Sequence, residues 1–580
     1  KCKVQQWNLR QLNSRTPMDS QPYQLHFFLL PYMAHGHMIP TADMARLFGR
    51  RGVKVTIILT LVNAPLFSKA IDRDINIRII KFPFAGAGLP EGCENEFNEN
   101  IHIAFFPFMA QGHIIPTVDM ARTFARHGAK ATIITTPLNA PLVSRTIEPD
   151  IELGSKICVL VMKFPSSEAG LPEGCENASF IKTLEMVPKF FKAVSLLQQP
   201  LEDLLEECRP NCLVADMMFP WATKVAGKFG IPRLVFHGTS YFALCVSDCL
   251  KRFEPYKSVE TDSEPFPVPG LPDKIKLTRL QLPSYVKENS ELSKQMDEIS
   301  QADLESYGVI MNSFHELEPA YSEHYKKMIG GKAWHIGPVS LCNRDSTRDK
   351  VQRGGVASID ENECLRWLAS KKSSSVLYIC FGSMSKTDFS ASQLIEIAKA
   401  LAASGQNFIW VVKNGEKTEG EDREEWLPEG FEKKMQGNGL IIRGWAPQML
   451  ILDHEAVGGF MTHCGWNSAL EGITAGVPMV TWPLSAEQFY NEKLLTDVLK
   501  IGVAVGAQEW SRGERKILVK MEEIEHAITQ LMVGEEAEGL RNRTRALKEM
   551  ARRATEVEGS SYCDLNSLLG DLRAMKSTSY

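Results

Sequence analysis

The stretch IHIAFFPFMAQGHIIPTVDMARTFARHGAKATIITT, residues 101–136, determines the fold that we predict for this chain. It begins with the apolar run IHIAFFP, continues as a helical pattern that ends at Gly128, and closes with a second apolar run. Runs that are apolar throughout are typical of strands buried on both faces, as in parallel sheets. With Pro116 as the predicted first residue of the helix, the stretch predicts a strand–helix–strand unit.

The same unit occurs a second time, nearer the start of the chain. Residues 25–60 contain LHFFLLP, the pattern that starts at Pro40, and VKVTIILT. The two Gly-His pairs place His37 and His113 at a constant offset of 76 residues, and this offset grows to 82 at the two GLPEGCEN segments. No third copy follows, so the pattern indicates an internal duplication of one module and not a solenoid.

Short apolar strands and amphipathic helices alternate through both halves of the remaining chain. The first series ends with YGVIMNSF and KAWHIGPVS, and the second runs from SSVLYICFGSM to GVAVGA. Between them lies NRDSTRDKVQRGGVASIDENE, a polar stretch without pattern that we interpret as an interdomain linker. The alternation favours two doubly wound α/β domains, whose ligands bind beyond the carboxyl ends of the strands.

The composition excludes several classes of protein. With 580 residues, of which 44% are hydrophobic, the chain is too long for one compact core. The net charge of −5 and the lack of a basic run argue against a nucleic-acid partner. Thirteen cysteines without paired spacing resemble the reduced thiols of a cytoplasmic protein. No apolar run reaches the length of a membrane span, and the N-terminal residues contain no secretory signal.

The densest group of polar side chains lies in WAPQMLILDHEAVGGFMTHCGWNSALEGITAGVPMVTWPLSAEQ, residues 445–488. A buried strand, a tight turn and a short helix place His463, Asn467 and Ser468 around a helix N-terminus, which favours a phosphate group. Glu471 lies one turn further, where a carboxylate can accept the two hydroxyls of a ribose. The alternative is that Asn467 or Ser468 merely caps this helix.

This stretch closely resembles the signature box of the plant family 1 UDP-sugar-dependent glycosyltransferases of small molecules. It matches from the opening WAPQ, through HCGWNS, to the closing EQ. The segments GLPEGCEN, ADMMFPWAT, LVFHGTSYF, AWHIGPVS and AEQFYNEKL resemble the branch that acts on flavonoids, other phenolics and triterpenoids. The resemblance implies an α/β protein with two facing Rossmann-like domains (the GT-B fold), plus a surplus N-terminal βαβ repeat.

The resemblance also implies which residues bind the donor: Ser383, Trp445, Ala446, Gln448, His463, Trp466, Asn467, Ser468, Glu471, Glu487 and Gln488. Trp445 would stack on uracil with Gln448 beside it, and Glu471 would bind the ribose. His463, Asn467 and Ser468 would hold the diphosphate with Ser383 opposite, and Trp466, Glu487 and Gln488 would meet the sugar. A closing glutamine goes with glucose in this family, and a histidine with galactose. UDP-glucose is thus the implied co-substrate, and neither a cofactor nor a metal is implied.

Inverting transfer requires a base that takes a proton from the acceptor hydroxyl, and a histidine supported by a carboxylate suits this task. Asp216 ends a later strand of the same predicted sheet, where it can meet a histidine that follows the first strand. In the family these two residues form a dyad. We predict that His113 is the base, with His37 as the less favoured alternative, because only the second copy continues directly to Asp216. His237 is predicted to line the acceptor pocket.

We expect glucose transfer from UDP-glucose to a hydroxyl of a small lipophilic acceptor, by a cytoplasmic monomer without a membrane span. The alternatives are a catalytically impaired sugar-nucleotide-binding protein and a nicotinamide oxidoreductase, although the latter lacks a Gly-x-Gly-x-x-Gly fingerprint. The predicted segments are a disordered leader (1–24), the duplicated module (25–99), an acceptor domain (100–342), a linker (343–372), a donor domain (373–555) and a C-terminal helix that crosses back to the acceptor domain (556–580).

Overall fold

The computed structural model divides the chain into two compact units, Lys1–Glu99 and Asn100–Tyr580. The predicted leader and Ser383 lie outside the residues that the structure describes, as does the side chain of His37. The structure describes residues 25–31, 35–60, 75–80, 101–181, 183, 185–330, 332–382, 389–412, 427–511, 513 and 515–578, without the side chains of residues 35–39, 60, 75–80, 577 and 578.

The first unit contains a three-stranded parallel sheet in the order β1-β2-β3. Its elements are β1 (His26–Leu29), α1 (His35–Gly49), β2 (Lys54–Thr60) and β3 (Ile75–Ile80). A small core of Ala42, Ala45, Val55, Ile57 and Leu59 lies between helix and sheet. The apolar pattern of the first copy therefore forms the predicted βαβ arrangement.

The second copy folds in the same register as the first. His26 is paired with Lys54 in the first unit, and His102 is paired with Lys130 in the second. The imidazole of His26 lies 2.9 Å from the Thr56 hydroxyl, and the equivalent distance for His102 is 2.8 Å. The duplication is thus one of structure as well as of sequence.

The second unit begins with a seven-stranded parallel sheet in the order β12-β11-β8-β7-β4-β5-β6. In the connection between β8 and β11, β9 and β10 form a small antiparallel pair. The strands are β4 (His102–Phe106), β5 (Lys130–Thr135), β6 (Ile157–Val161), β7 (Cys212–Asp216), β8 (Arg233–His237), β9 (Phe266–Pro267), β10 (Lys276–Leu277), β11 (Gly308–Met311) and β12 (Ala333–His335).

Helices cover this sheet and connect its strands. They are α2 (Gln111–Arg126), α3 (Ala140–Glu152), α4 (Met186–Leu196), α5 (Gln198–Cys208), α6 (Ala222–Gly227), α7 (Tyr241–Phe253), α8 (Ser284–Lys287), α9 (Glu291–Glu305) and α10 (Pro319–Ile329). Single 3₁₀ turns occur at Ala178–Phe180, Pro255–Lys257, Arg279–Gln281 and Val339–Asn343.

The predicted helix starts at Pro40 and Pro116 are wrong. Helix α1 begins at His35 and α2 at Gln111, so each proline lies inside its helix. Only the first four amides of a helix have no intrahelical partner. Pro116 is the sixth residue of α2, so it removes one backbone hydrogen bond, the one to the carbonyl of Gly112. The Gly-His pair therefore belongs to the first helical turn.

The predicted linker contains two helices, α11 (Thr347–Gln352) and α12 (Glu361–Ala369). The side chain of Ser346 caps α11, and that of Asp360 caps α12. Serine and aspartate are strong N-cap residues because their oxygens accept a free backbone amide of the first turn. The polar composition that suggested an unpatterned linker includes these two caps.

The six-stranded parallel sheet of the C-terminal half has the order β15-β14-β13-β16-β17-β18. Its strands are β13 (Val376–Cys380), β14 (Asn407–Val412), β15 (Gly439–Arg443), β16 (Val457–Thr462), β17 (Met479–Thr481) and β18 (Gly502–Ala504). The helices are α13 (Ala391–Ser404), α14 (Phe431–Lys434), α15 (Gln448–Leu452), α16 (Trp466–Ala475), α17 (Gln488–Lys493), continued as a π turn at Leu494–Val498, α18 (Met521–Val533), α19 (Ala537–Ala554) and α20 (Ser560–Thr578).

The last helix, α20, packs on the N-terminal half. Leu568 and Leu569 are fully buried in a cluster that contains Ile103 and Phe124. Asp564 accepts the backbone amide of His335 at 2.8 Å. Since α19 packs on the C-terminal half through its contact with α16, the chain crosses between the halves twice.

Two general features concern the described part of the chain. None of its helices is both long and apolar enough to cross a membrane. Its cysteines are unpaired thiols, many of them buried. Burial raises the pKa of Cys208 and Cys249 above the ordinary value, which disfavours the reactive thiolate.

Candidate active site

His113 and Asp216 meet at the carboxyl edge of the seven-stranded sheet. Strands β4 and β7 are parallel neighbours, so the turn after β4 and the end of β7 lie at the same edge. Nδ1 of His113, in the first turn of α2, lies 2.7 Å from Oδ2 of Asp216. The other carboxylate oxygen accepts the amide of Met218 at 3.0 Å. The carboxylate is therefore held in place, and it directs the proton of His113 to Nδ1.

The surroundings of His113 raise the pKa of its imidazole above the ordinary value. Burial alone would lower this pKa, but it is outweighed by the charge of Asp216, by the hydrogen bond to that residue and by the charge of Glu487. Asp216 is completely buried, whereas the imidazole is 28% exposed. With Nδ1 taken by Asp216, Nε2 is the nitrogen that can accept a proton from a bound molecule.

The opposite wall of the site is the N-terminus of α16. Its N-cap residue is Gly465, and no side chain caps the helix. The capping alternative for Asn467 and Ser468 is therefore wrong, and both side chains serve other contacts. The free amides and the helix dipole at this terminus favour an anion.

Glycines make room for His463 beside this terminus. A Cβ atom added to Gly465 would lie 2.5 Å from Nε2 of His463, and one added to Gly382 would lie 2.6 Å from the same atom. Gly382 also has a φ of +79°, a conformation that favours glycine. The imidazole is thus held closely between two backbone segments.

Asn467 joins the two halves through a carbonyl that Pro116 leaves without its usual helical donor. In a regular helix the amide of residue 116 would donate to the carbonyl of Gly112, but proline has no N–H. The side-chain amide of Asn467 donates to this carbonyl through Nδ2 at 2.6 Å. The N-terminal turn of α16 is thereby joined to the helix turn that carries His113.

Glu471, the predicted ribose ligand, has both carboxylate oxygens hydrogen-bonded to protein donors. Its Oε2 accepts the amide of Gln448 at 2.7 Å, and its Oε1 accepts a guanidinium N–H of Arg353 at 2.5 Å. The same Gln448 amide contacts the hydroxyl of Ser468 at 3.3 Å. Trp445 is partly exposed and lies against Gly354, the residue after Arg353, and Ala446 is buried. The structure thus brings together the residues predicted to bind uridine.

The three residues predicted to meet the sugar have different surroundings. Trp466 is buried, and its indole N–H donates to the carbonyl of Asn312 at 2.8 Å. Gln488 accepts the amides of Leu484 and Ser485 through its side-chain oxygen, so its NH₂ group remains the part suited to a ligand hydroxyl. Burial raises the pKa of Glu487, although the nearby His113 opposes this shift.

An aromatic wall lies next to the dyad. The ring of Phe108 is 5.3 Å from that of His113, centroid to centroid, and 6.2 Å from that of Phe191, to which it is nearly parallel. Phe106 stacks on Phe219 at 4.2 Å behind this wall. The sequence analysis missed Phe108 and Phe191, although Phe108 lies only five residues before the predicted base.

Two further histidines have different positions. His237 is buried, and its Nε2 lies 2.9 Å from Oδ2 of Asp303. Its neighbour Gly238 lies beside His113, because a Cβ atom there would be 3.9 Å from the His113 ring. The role of His237 as a pocket residue and the role of His37 as alternative base stay predictions.

Comparisons with known proteins agree with this geometry. Residues 357–518 match the family model described as UDP-glucoronosyl and UDP-glucosyl transferase. The chain is 55% identical over 482 residues to scopoletin glucosyltransferase of Nicotiana tabacum, which covers 83% of this chain and 99% of the relative. It is 54% identical over 488 residues to UDP-glucose flavonoid 3-O-glucosyltransferase 7 of Fragaria ananassa, covering 83% of this chain and 97% of the relative.

A solved structure shows the same arrangement of two parallel sheets. It is that of Glycyrrhiza uralensis UGT73P12 complexed with glycyrrhetinic acid 3-O-monoglucuronide, with a TM-score of 0.78 and 43% identity. The match covers 83% of this chain and 97% of that chain. The matched share of this chain is about the length of the unit Asn100–Tyr580. The chain belongs to the plant family 1 UDP-glycosyltransferases, enzymes with the GT-B fold.

Proposed function

We propose that this enzyme transfers glucose from UDP-glucose, with inversion, to a hydroxyl group of a small lipophilic acceptor such as a flavonoid, another phenolic or a triterpenoid. The observation that carries the proposal is the His113–Asp216 hydrogen bond of 2.7 Å beside the N-terminus of α16. A base supported by a carboxylate therefore lies close to a site suited to a diphosphate. The glucosyltransferase names of the relatives and Gln488 at the end of the signature box support glucose as the donor sugar.

The acceptor half supplies the base. In the proposed reaction the acceptor oxygen attacks C1 of glucose from the side opposite to UDP, and the bond from C1 to the phosphate oxygen breaks with its electron pair on UDP. Nε2 of His113 takes the acceptor proton as the new bond forms. Asp216 holds the proton on Nδ1 and stabilises the resulting imidazolium without itself becoming protonated.

The donor half stabilises the leaving group. Negative charge grows on the diphosphate as the glycosidic bond breaks, and the free amides at the start of α16 are fixed in a position to receive it. We assign His463, Asn467 and Ser468 to the same task. Because these groups are held in place by the fold, little reorganisation is needed during the reaction.

Aromatic side chains near the base support a lipophilic acceptor. Phe108 lies against His113, and Phe191 extends this surface. Flat apolar rings favour aromatic or fused-ring ligands, which stack on them at low conformational cost. A hydroxyl at the edge of such a ligand could approach Nε2 of His113.

Transfer assays test the proposal. The purified full-length chain is incubated with UDP-glucose and a panel of flavonoids, simple phenols and triterpenoids, and products are detected by mass spectrometry. We expect glucosides with the β configuration by NMR, and slower transfer from UDP-galactose. His113→Ala should abolish transfer but retain UDP binding, whereas the matched variant of the first copy, His37→Ala, should remain active. UDP-glucose binding without transfer to any acceptor would instead support the impaired binding protein.

A further inference from the structure

Arg353 lies between the two halves of the enzyme, directly after α11. Its Nε donates to Oδ2 of Asp119 at 2.6 Å, and its Nη1 donates to Oε1 of Glu471 at 2.5 Å. Asp119 belongs to α2, the helix that carries His113, and Glu471 belongs to α16. All three side chains are buried. One linker arginine thus bridges the base helix and the ribose-type site.

Both oxygens of Glu471 are fixed by protein donors. Arg353 holds Oε1 and Gln448 holds Oε2. A carboxylate oxygen can accept two hydrogen bonds, so each retains capacity for a ligand hydroxyl. The separation and direction of the two oxygens therefore depend on Arg353 as much as on Gln448, and a pair of ribose hydroxyls is a matching ligand.

The residues after Arg353 pack on Trp445. A Cβ atom added to Gly355 would lie 2.6 Å from Cδ2 of the indole, and Gly354 lies over the same ring. Ser358 fixes the backbone of Trp445 twice, because its amide donates to the Trp445 carbonyl at 2.8 Å and its hydroxyl accepts the Trp445 amide at 2.9 Å. The linker thereby covers one side of the indole.

We propose that residues 353–358, here called the linker strap, complete the nucleotide site: Arg353 positions Glu471 for the ribose hydroxyls, and Gly354 and Gly355 support Trp445 for stacking on the base. The proposal rests on the proposed function, in which Glu471 and Trp445 bind uridine. Arg353 is a positioning residue, since it acts through Glu471. The ligand class is a ribonucleoside diphosphate.

The strap has a firm attachment on the acceptor side. Oδ1 of Asp119 also accepts a hydrogen bond from the side-chain amide of Asn343 at 2.9 Å. Arg122 is fully buried and donates to Asp349 of α11 at 2.7 Å. Removing one member of a buried charged group leaves its partner unpaired, which is costly. The position of Glu471 is therefore linked through the strap to the helix of the catalytic base.

A comparison of UDP with 2′-deoxy-UDP tests this role. Binding of both is measured by calorimetry on the full chain, as wild type, Arg353→Ala, Arg353→Lys, Glu471→Ala and the double variant Arg353→Ala/Glu471→Ala. We expect Arg353→Ala to weaken UDP binding about tenfold, with a smaller effect on 2′-deoxy-UDP. The affinity of Arg353→Lys for UDP should lie between those of wild type and Arg353→Ala. The double variant should discriminate between the two nucleotides to the same extent as Glu471→Ala alone, because Arg353 acts through Glu471.

Two further variants separate positioning from a general loss of stability. Lys350→Ala removes a neighbouring linker contact, the 2.7 Å ion pair with Asp453, and should leave both affinities unchanged. Gly355→Ala should displace Trp445 and weaken both nucleotides equally. Should Arg353→Ala fail to fold, Arg353→Lys and Gly355→Ala still allow the affinities for UDP and 2′-deoxy-UDP to be compared.

The outcomes separate the two proposals. If wild type does not bind UDP, the donor-site roles of the proposed function are wrong. If wild type binds UDP but Arg353→Ala and Arg353→Lys bind it as tightly or more tightly, or lose both nucleotides equally, the strap proposal is wrong. Tighter binding would mean that Arg353 competes with the ribose for Glu471.

Discussion

The imidazole of His113 is subject to two opposing effects. Burial favours the neutral form, and the carboxylates of Asp216 and Glu487 favour the charged form. The carboxylates prevail, so the pKa lies above the ordinary value of 6.5. A base must be neutral to take a proton, so with His113 as the proposed base we expect activity to be lost as the pH falls through this raised pKa. In the proposed mechanism, Asp216 would therefore both stabilise the imidazolium during transfer and set the acidic limit of the reaction.

We predict that Asp216→Asn shifts this acidic limit to lower pH. The substitution removes the charge that raises the pKa of His113, so the imidazole stays neutral at more acidic pH. It also removes the support of the imidazolium, and we expect kcat to fall about 100-fold. The measurement is the pH profile of kcat/KM for UDP-glucose transfer.

Glu487→Gln provides a control with a related effect. The charge of Glu487 also raises the pKa of His113, but it acts as a charge alone, without the hydrogen bond that Asp216 makes. We expect a smaller shift in the same direction. An acidic limit that stays in place in both variants would show that another group controls the profile.

At the scale of elements, the parallel sheets were predictable and the start of α2 was not. Strands such as β4 and β7 are mostly apolar, with a polar residue only at one end, and this pattern is sufficient to place them in a buried parallel sheet. The position of Asp216 at a strand end then followed. The start of α2 was predicted wrongly because proline is locally preferred in the first turn of a helix. The contact that satisfies the carbonyl left free by Pro116 comes from Asn467, which is 351 residues away in the chain.

The linker strap escaped prediction for a related reason. Arg353 and the two glycines after it belong to a polar segment with no periodic pattern, and their roles arise only from contacts with Asp119, Glu471 and Trp445. A box that is contiguous in sequence, such as residues 445–488, can be recognised directly. A site that needs residues from a connecting segment becomes visible only when the two halves are in place.

We predict that Pro116 and Asn467 are energetically coupled. Pro116→Ala supplies an amide that competes with Asn467 for the Gly112 carbonyl, so UDP-glucose turnover should fall. In an Asn467→Ala background the same substitution should have little effect. A double-mutant cycle on kcat/KM is expected to give a coupling of about 1 kcal/mol, the typical contribution of one hydrogen bond.

Thermal unfolding provides the control for this cycle. An alanine inside a helix is more favourable than a proline, so Pro116→Ala should not lower the stability of the protein. The coupling should therefore appear in activity and not in the unfolding temperature. Additive effects of the two substitutions on kcat/KM would contradict the link between Pro116 and Asn467.

The whole molecule consists of two units of unequal size, of which the larger contains both large parallel sheets. Within the unit Asn100–Tyr580, strand β4 is flanked by β5 and β7, and the sheet contains a full set of seven strands. The dyad, the signature box and the linker strap all belong to this unit. The described residues of the first unit repeat the first strands and the helix without a counterpart of β7, and its sequence has no counterpart of Asp216 or of the box.

The two copies also differ in the burial of a matching arginine. In the second copy Arg122 is fully buried and bonded to Asp150 and Asp349. Its counterpart Arg46 pairs with Asp43 and is 33% exposed. The network that continues to Arg353 therefore depends on Asp349 of α11, which lies outside the module. A module copied alone does not reproduce the charge arrangement of the enzyme.

We predict that an enzyme without residues 1–99 retains transfer activity, with unchanged KM for UDP-glucose. The counterpart experiment deletes residues 96–177, so that the first copy joins the chain at the repeated GLPEGCEN segment and His37 takes the place of His113. In this arrangement Phe28 replaces Ala104, which is 2% exposed in a packed cluster, and overpacking of this kind costs about 1–3 kcal/mol. We therefore expect lower thermal stability and weaker activity from the second deletion. If the first deletion abolished transfer and the second preserved it, His37 would be the working base and the second copy the surplus one.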